Sequence, residues 1–211
     1  MSAAGGTMRS MNRRTFVTQG WAAAIGLLAC HTPLVAQAAG LSATPPAAGD
    51  GRVLLLRHAR APGTFDPPGF ALGDCSTQRN LSAEGRAQAQ AIGQWFARHG
   101  PPVATVRSSP WCRCMDTARL AWGRAEAWAP LGSPVGLAPA AQQQQLQALR
   151  EALQALKAQG GLHVWVSHMF VQQDLTGQST AAGEGLLIQA GGDGVVRVLG
   201  VWGLERGIQS P

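Results

Sequence analysis

The sequence predicts an α/β fold, a three-layer α/β/α sandwich built on a mostly parallel sheet. Short apolar runs, typical of strands buried on both faces, alternate along the chain with stretches that have the length and apolar spacing of helices. Alternation of this kind places helices on both faces of a parallel sheet. The composition agrees, because 45% hydrophobic and 13% charged residues make a chain too apolar to be intrinsically disordered.

The first 38 residues predict an export signal rather than a part of the fold. A paired arginine, Arg13-Arg14, precedes the apolar run from Trp21 to Ala29, and the small-residue site Ala36-Gln37-Ala38 follows. The pair followed by x-Phe-Val is similar to the twin-arginine export pattern, so we expect a periplasmic or exported protein. Two alternatives stay open: a general secretory signal that contains the pair, or a lipoprotein with a lipid anchor at Cys30.

Removal of the signal changes the charge of the chain. The full sequence has 17 basic and 11 acidic residues and a formal net charge of +6. Three arginines leave with residues 1–38, so the mature part has a net charge of +3, too small for a nucleic-acid footprint. A stable membrane span is not expected either, since the apolar run from Trp21 to Cys30 is too short to cross a bilayer.

A linker at residues 39–51 leads into the first strand, loop and helix. The continuous apolar run Val53 to Arg57 predicts a buried strand. Residues 59–80 are rich in proline and glycine and predict a loop. Ser82 predicts the N-cap of a helix over residues 83–99, which a Gly-Pro-Pro sequence ends.

The alternation continues to the C-terminus. Two further buried strands are predicted at residues 103–108 and 162–167. Caps and apolar spacing predict three more helices, over residues 110–122, 142–159 and 170–175. Two last strands, 185–189 and 195–202, are expected to form a hairpin across a glycine-rich turn.

Polar side chains follow three of the predicted strands at their carboxyl ends. Arg57-His58 ends the first, Arg107-Ser108-Ser109 leads from the second to Arg113, and Ser167-His168 ends the third. Ligands of open α/β sheets bind beyond these ends, and arginine is suited to bidentate recognition of phosphate. Because a neutral imidazole in an arginine cluster can attack phosphorus, the pattern predicts a site for a small phosphorylated substrate.

Four motifs, in this order, resemble the histidine phosphatase (phosphoglycerate mutase-like) superfamily. They are Arg57-His58-Ala59, residues 80–89 with Gly85 and Gln88, residues 108–118 with Arg113 and Thr117, and Val166-Ser167-His168. The resemblance covers about residues 52 to 190. It implies a phosphoglycerate mutase-like domain over residues 52–211.

The resemblance implies an exported phosphatase that forms a phosphohistidine on His58. Arg57 and Arg113 would bind the phosphoryl oxygens, and His168 would complete the pocket and stabilise the transferring group. No metal or other cofactor is implied. Phosphomonoesters or phosphoramidates are the expected substrates. Two alternatives are a catalytically weak or inactive phosphate-binding protein of the same fold, and an envelope glycan-associated binding protein.

The proton donor is where the sequence departs from the family pattern. Arg60 stands where many members have glutamate, and Met169 where the acid-phosphatase branch has aspartate. Leu131-Gly132-Ser133 offers no carboxylate where the mutase-like branch has L-x-E. We therefore predict Asp66 as the proton donor, with Asp74 as a second candidate and ordinary turn roles as the alternative for both.

Three cysteines remain after the predicted signal: Cys75, Cys112 and Cys114. In an oxidising compartment we expect one disulfide and one free thiol. Cys75 lies in the loop after the first strand, and the other two flank Arg113. We favour Cys75–Cys114 over Cys75–Cys112, although the sequence leaves both pairings open.

Overall fold

The computed structural model of the protein describes residues 51–192 and 194–204. The predicted export signal at residues 1–38, the candidate lipid anchor Cys30 and nearly all of the linker 39–51 lie outside the described residues. So does the end of the predicted domain, residues 205–211. Within the described ranges, no helix is long and apolar enough to cross a membrane.

A six-stranded mixed sheet forms the centre of the fold, in the order β3-β2-β4-β1-β5-β6. The strands are β1 (Arg52–Arg57), β2 (Val103–Ser108), β3 (Glu126–Ala127), β4 (Leu162–Ser167), β5 (Gly185–Ala190) and β6 (Val196–Trp202). The first four run parallel to one another, whereas β5 and β6 pair antiparallel. The mostly parallel sheet and the C-terminal antiparallel pair confirm the prediction.

Four helices cover the two faces of the sheet. They are α1 (Ala83–His99), α2 (Cys112–Trp122), α3 (Pro139–Gln159) and α4 (Met169–Thr176). Leu54 and Leu56 of β1 pack with α1 and α2, and their neighbour Leu55 packs with α3 and α4 on the opposite face. This alternation gives two cores, one on each side of the sheet, and confirms the three-layer α/β/α sandwich.

The structure differs from the prediction at the edges of several elements. Strand β3 was not predicted, because two residues carry no periodicity; it pairs with Arg107 and Ser108 of β2. Helix α3 begins at Pro139, three residues before the predicted start, since the ring of proline favours the first helical turn. Helix α2 begins at Cys112, after an extended Trp111.

Helix α1 holds the loop that follows β1. Its predicted N-cap is confirmed, because the Ser82 hydroxyl accepts a hydrogen bond from the Gly85 N–H. A Cβ atom on Gly85 would lie 1.9 Å from the Arg60 carbonyl oxygen, so this close approach requires glycine. The Gln88 amide accepts from the Arg60 N–H and donates to the Ala182 carbonyl. These contacts fix the backbone on both sides of the site.

Candidate active site

The carboxyl ends of β1, β2 and β4 meet at one edge of the sheet. A cavity of about 290 Å³ lies there. Arg57 pairs with Ser167 across β1 and β4, and Ser108 pairs with Val166 across β2 and β4. The predicted phosphate-site residues all line this cavity: Arg57, His58, Arg113 and His168. The fold therefore brings together these four side chains of the strand-end pattern, whereas Arg107 does not line the cavity and lies 3.5 Å from Glu126.

His58 is buried and held in one tautomer. Its side chain is 3% exposed, and its Nδ1–H donates to the Ala59 carbonyl oxygen at 2.8 Å. Burial is the main cause that lowers the pKa of His58 from 6.5 to about 3; the Ala59 bond acts in the opposite direction, and the positive charges of Arg113, Arg79 and Arg57 add to the lowering. The ring is therefore neutral near pH 7, with its lone pair on Nε2. A neutral imidazole with a free Nε2 is the form that attacks phosphorus.

His168 lies beside His58, with the two ring centroids 5.6 Å apart. Its Nδ1 lies 3.4 Å from Nη2 of Arg113, and its Nε2 lies 2.8 Å from the Ser109 hydroxyl. Because a guanidinium only donates, Nδ1 accepts and Nε2 carries the proton. Burial, with the charge of Arg113 nearby, lowers the pKa of His168 well below 6.5. The site thus contains two neutral imidazoles.

Arg57 and Arg113 line the cavity with guanidinium groups that are only partly hydrogen-bonded. Arg57 donates from Nη1 to the Thr180 carbonyl at 2.9 Å and lies 3.6 Å from the Met169 sulfur. Within the described part of the chain, the buried Nε atoms of both arginines have no hydrogen-bond partner. A buried donor left unpaired is costly, and phosphoryl oxygens are strong acceptors. The two side chains are therefore suited to bind a phosphoryl group.

A third arginine of the site, Arg79, was not predicted from the sequence. It lines the cavity and donates from Nη1 to the carbonyl oxygens of Ala61 and Gly63 at 2.7 and 3.1 Å. Its buried Nε also lacks a partner among the described residues. Arg79 lies at the end of a long loop, where no periodicity points to the site. The signal that the sequence offers for Arg79 is its position three residues before Ser82, the N-cap of α1.

Asp66 lines the cavity, but its hydrogen bonds differ from those of a proton donor. Its Oδ1 accepts from Arg113 Nη1 at 2.8 Å and from the Arg79 N–H at 2.9 Å, and its Oδ2 accepts from Trp111 Nε1 at 3.1 Å. Burial alone would raise the pKa of Asp66, but the bonds from Arg79, Arg113 and Trp111 lower it overall. The bonds therefore favour the ionised carboxylate, an arrangement that fits a positioning role, and Asp66 as the proton donor stays a prediction.

The second candidate, Asp74, and the nearby Glu184 lie outside the cavity. Asp74 is exposed and accepts from the N–H and the hydroxyl of Ser76, which confirms a turn role. Glu184 does not line the cavity, and its Oε2 accepts from the Ala181 N–H. Ser133, at the L-x-E position, does line it. Among the described lining residues, Asp66 carries the sole carboxylate.

The described residues also contain no cluster of three or more His, Cys, Asp or Glu side chains suited to a metal ion.

The disulfide joins Cys75 to Cys112, with their Cα atoms 5.7 Å apart, so the favoured Cys75–Cys114 pairing was wrong. Successive positions two residues apart lie on nearly opposite sides of a helix. Cys112 therefore meets the loop, whereas Cys114 is buried against the sheet with its sulfur 3.6 Å from Nε2 of His168. Burial raises the pKa of the Cys114 thiol to about 12, so the thiol stays protonated.

The disulfide attaches the loop after β1 to helix α2. Gln78 strengthens the same junction, since its Oε1 accepts from the Cys112 N–H and its Nε2 donates to the Ala71 carbonyl. The loop carries Asp66 and Arg79, and the helix carries Arg113. The position of three charged groups in the cavity therefore depends on this junction.

Thr117 connects α2 to the residue after His58. Its hydroxyl accepts from the Ala59 N–H at 3.0 Å and donates to the Arg113 carbonyl at 2.7 Å. The His58 N–H donates to the Ser167 carbonyl at 2.9 Å. Bonds from the backbone N–H groups of His58 and Ala59 thus hold the candidate nucleophile between α2 and β4.

The comparison with known proteins gives one family match for a segment of the chain. The family model of the histidine phosphatase superfamily (branch 1) matches residues 53–131, a segment that contains three of the four motifs. No curated protein sequence matches the chain.

Solved structures share the fold at low sequence identity. The protein histidine phosphatase SixA complexed with tungstate is 17% identical, with a TM-score of 0.53, covering 72% of this chain and 96% of that one. The alpha-ribazole phosphatase from Shigella flexneri is 16% identical, with a TM-score of 0.52, covering 73% and 99%. The product of a Mycobacterium tuberculosis open reading frame is 17% identical, with a TM-score of 0.53, covering 70% and 94%.

At these identities the neighbours show the fold alone. The described domain has the phosphoglycerate mutase-like fold of the histidine phosphatases, as the sequence predicted. The segment matched by the histidine phosphatase model, residues 53–131, lies within this fold.

Proposed function

We propose that the protein is an exported phosphatase that hydrolyses phosphomonoesters or phosphoramidates through a phosphohistidine on His58. The observation that carries the proposal is the state of His58, a buried neutral ring whose Nδ1–H is fixed on a carbonyl. Three arginines with unpaired Nε donors surround it. A structural neighbour, SixA, is a protein histidine phosphatase, which supports the phosphoramidate branch of the proposal.

In the first step, Nε2 of His58 attacks phosphorus. A bond forms between Nε2 and phosphorus while the bond from phosphorus to the leaving oxygen or nitrogen breaks, and the leaving group carries away the bonding electron pair. Arg57, Arg79 and Arg113 neutralise the charge on the phosphoryl oxygens, the contribution that dominates this type of reaction. His168 adds an N–H donor beside them when it exchanges its bond to Ser109 for one to the phosphoryl group.

In the second step, water attacks the phosphohistidine. The bond from oxygen to phosphorus forms as the Nε2–phosphorus bond breaks, so His58 regains its lone pair and inorganic phosphate is released. The proton from water passes to the phosphate product or to solvent. The Nδ1–H bond to Ala59 is kept throughout, which holds the ring in place for both attacks.

One observation favours the inactive phosphate-binding alternative: Asp66, the sole carboxylate among the described lining residues, is bonded to Arg113, which favours its ionised form. The glycan-binding alternative lacks such support. It requires exposed aromatic platforms, and the tryptophans of the described residues are all buried or half-buried.

Steady-state hydrolysis separates these functions. The wild-type domain and His58→Ala are compared on aryl phosphates, sugar phosphates and phosphohistidine, with inorganic phosphate binding measured in parallel. The proposal predicts turnover by the wild type, loss of at least about a thousandfold in His58→Ala, and phosphate binding by both. Phosphate binding without turnover by the wild type would establish the binding protein instead.

Export is a separate part of the proposal. It is supported by the twin-arginine pattern at Arg13-Arg14 and by the Cys75–Cys112 disulfide, a bond typical of oxidising compartments. The lipoprotein alternative at Cys30 remains a second candidate.

A further inference from the structure

The mouth of the cavity carries large apolar side chains that the proposed chemistry does not use. Four of them line the cavity and are exposed to solvent: Phe65 (64% exposed), Phe70 (37%), Val135 (52%) and Phe170 (36%). We call these four residues the apolar rim. They come from three separate segments: the loop after β1, the segment between β3 and α3, and the first turn of α4. Exposed apolar groups gathered at one cavity commonly mark a binding surface.

Charge and apolar surface are separated within the cavity. The inner part holds the three arginines with unpaired Nε atoms and the two neutral histidines. Two further charged side chains are among the described lining residues: Asp66, which is bonded to Arg113, and the exposed Arg60. A ligand that matches this distribution has an anionic group at one end and an apolar body at the other.

Aromatic side chains lead from the rim toward the phosphate site. The ring centroids of Phe70 and Trp111 lie 6.0 Å apart, and those of Trp111 and His168 lie 5.2 Å apart. Both separations fall in the range of favourable aromatic pairs. A flat aromatic ring attached to the phosphoryl group would therefore find aromatic partners along its length.

The described residues that line the cavity provide no free acid, and this also favours an aromatic leaving group. Asp66 is ionised and bonded to Arg113, and Ser133 stands at the L-x-E position. The leaving oxygen must then depart as an anion. A phenol has a pKa of about 10, far below that of an aliphatic alcohol, so a phenolate departs without protonation much more readily. The apolar rim and the lack of a free acid among the described lining residues thus both favour a phosphate ester of a phenol.

We infer that the substrate is an aryl phosphate, a phosphomonoester of a phenolic oxygen. Its phosphoryl group lies on Arg57, Arg79 and Arg113, and its ring lies on the apolar rim. His58 displaces the phenolate, which takes a proton from water. The inference rests on the proposed function and names the substrate class of the same site.

The test uses aryl phosphates whose phenols have the same acidity but different ring areas, such as a substituted phenyl ester and a naphthyl ester. Equal acidity removes the leaving-group effect, so the difference in kcat/KM measures the contact with the rim. From the apolar area of the second ring, we expect kcat/KM to be about tenfold higher for the naphthyl ester. An alkyl phosphate and a phosphoramidate serve as the other substrate classes.

A matched set of variants locates the contact. Phe65→Ala/Phe170→Ala should reduce the preference for the larger ring to about twofold or less, since each phenylalanine contributes apolar contact area. Leu72→Ala is the control, because Leu72 is an exposed apolar residue (44%) of the same loop that does not line the cavity. It should leave the preference unchanged.

The outcomes distinguish the inference from the proposed function. Equal kcat/KM for both ring sizes, or a higher value for the alkyl phosphate or the phosphoramidate than for both aryl esters, overturns the inference. If His58 is still phosphorylated in those cases, the proposed function stands. Absence of a phosphohistidine with every substrate overturns the proposed function as well. A tenfold preference that Phe65→Ala/Phe170→Ala removes and Leu72→Ala retains supports the aryl phosphate.

Discussion

Asp66 and Arg113 form a buried ion pair beside the phosphate site, with Oδ1 and Nη1 2.8 Å apart and side chains 9% and 4% exposed. The carboxylate comes from the loop after β1, and the guanidinium from α2. The pair fixes Arg113 by one edge and leaves its Nε without a partner among the described residues. An arginine held in this way loses little further freedom when a phosphoryl group binds.

The ion pair predicts a specific effect of Asp66→Asn. We expect kcat/KM to fall about tenfold, because Arg113 loses its orientation and an unpaired buried charge remains. The factor should be the same for aryl phosphates of different leaving-group acidity, as steady-state rates across such a series will show. Asp74→Asn is the control, since Asp74 is exposed and outside the cavity. A loss that grows as the leaving group becomes less acidic would show that Asp66 donates a proton.

Ser133 predicts a gain of function. Ser133→Glu places a carboxyl group at the cavity, at the L-x-E position. A general acid contributes about 10² to 10⁴-fold, so hydrolysis of alkyl phosphates should rise by at least about tenfold, whereas hydrolysis of good aryl leaving groups should change little. Ser133→Gln is the matched control without an acid. An equal effect of glutamate and glutamine, or no gain with glutamate, contradicts the account of the missing donor.

The two buried histidines predict a loss of stability in acid. Burial lowers the pKa of His58 to about 3 and that of His168 well below 6.5. As the pH falls below 6.5, these histidines take up protons in the unfolded chain but not in the folded one. The free energy of unfolding therefore decreases from pH 6.5 toward pH 3, by up to about 1.4 kcal/mol per pH unit for each histidine.

Thermal unfolding between pH 7 and pH 4 measures this effect. The melting temperature should decrease as the pH is lowered. Its change per pH unit should be smaller in His58→Asn and in His168→Asn than in the wild type. His99→Asn, which changes an exposed histidine at the end of α1, is the control for a substitution outside the site. Identical slopes in all four proteins would mean that the two buried histidines do not hold the lowered pKa values.

The export proposal predicts that the Arg13→Lys/Arg14→Lys precursor stays in the cytoplasm, because the twin-arginine route recognises that pair. Fractionation of cells that express the full chain measures the distribution. Continued export of the double variant would indicate the general secretory route. Palmitate labelling that depends on Cys30 would establish the lipoprotein instead.

The strand ends of the site were predictable from sequence for a simple reason. His58 and His168 follow buried apolar strands, and the carboxyl ends of neighbouring parallel strands meet at one edge. Arg113 follows the next strand in a recognisable motif. Local periodicity and topology are sufficient to place such residues.

The loop contributions could not be predicted in the same way. Arg79 and Asp66 lie in an irregular segment whose course depends on the Cys75–Cys112 disulfide and on Gln78, contacts between distant parts of the chain. The choice of Cys112 over Cys114 depends on the direction each side chain takes from α2. The apolar rim likewise combines three segments, each of which reads as an ordinary loop or helix start.

Trapping the covalent intermediate tests whether His58 is the nucleophile. The wild-type domain is mixed with an aryl phosphate labelled at phosphorus and quenched in base within milliseconds, which preserves phosphohistidine, and the labelled peptide is mapped. We predict about one acid-labile phosphoryl group per molecule, attached to Nε2 of His58 and absent from His58→Ala. Turnover without any labelled protein, or label on a residue other than His58, would contradict the account.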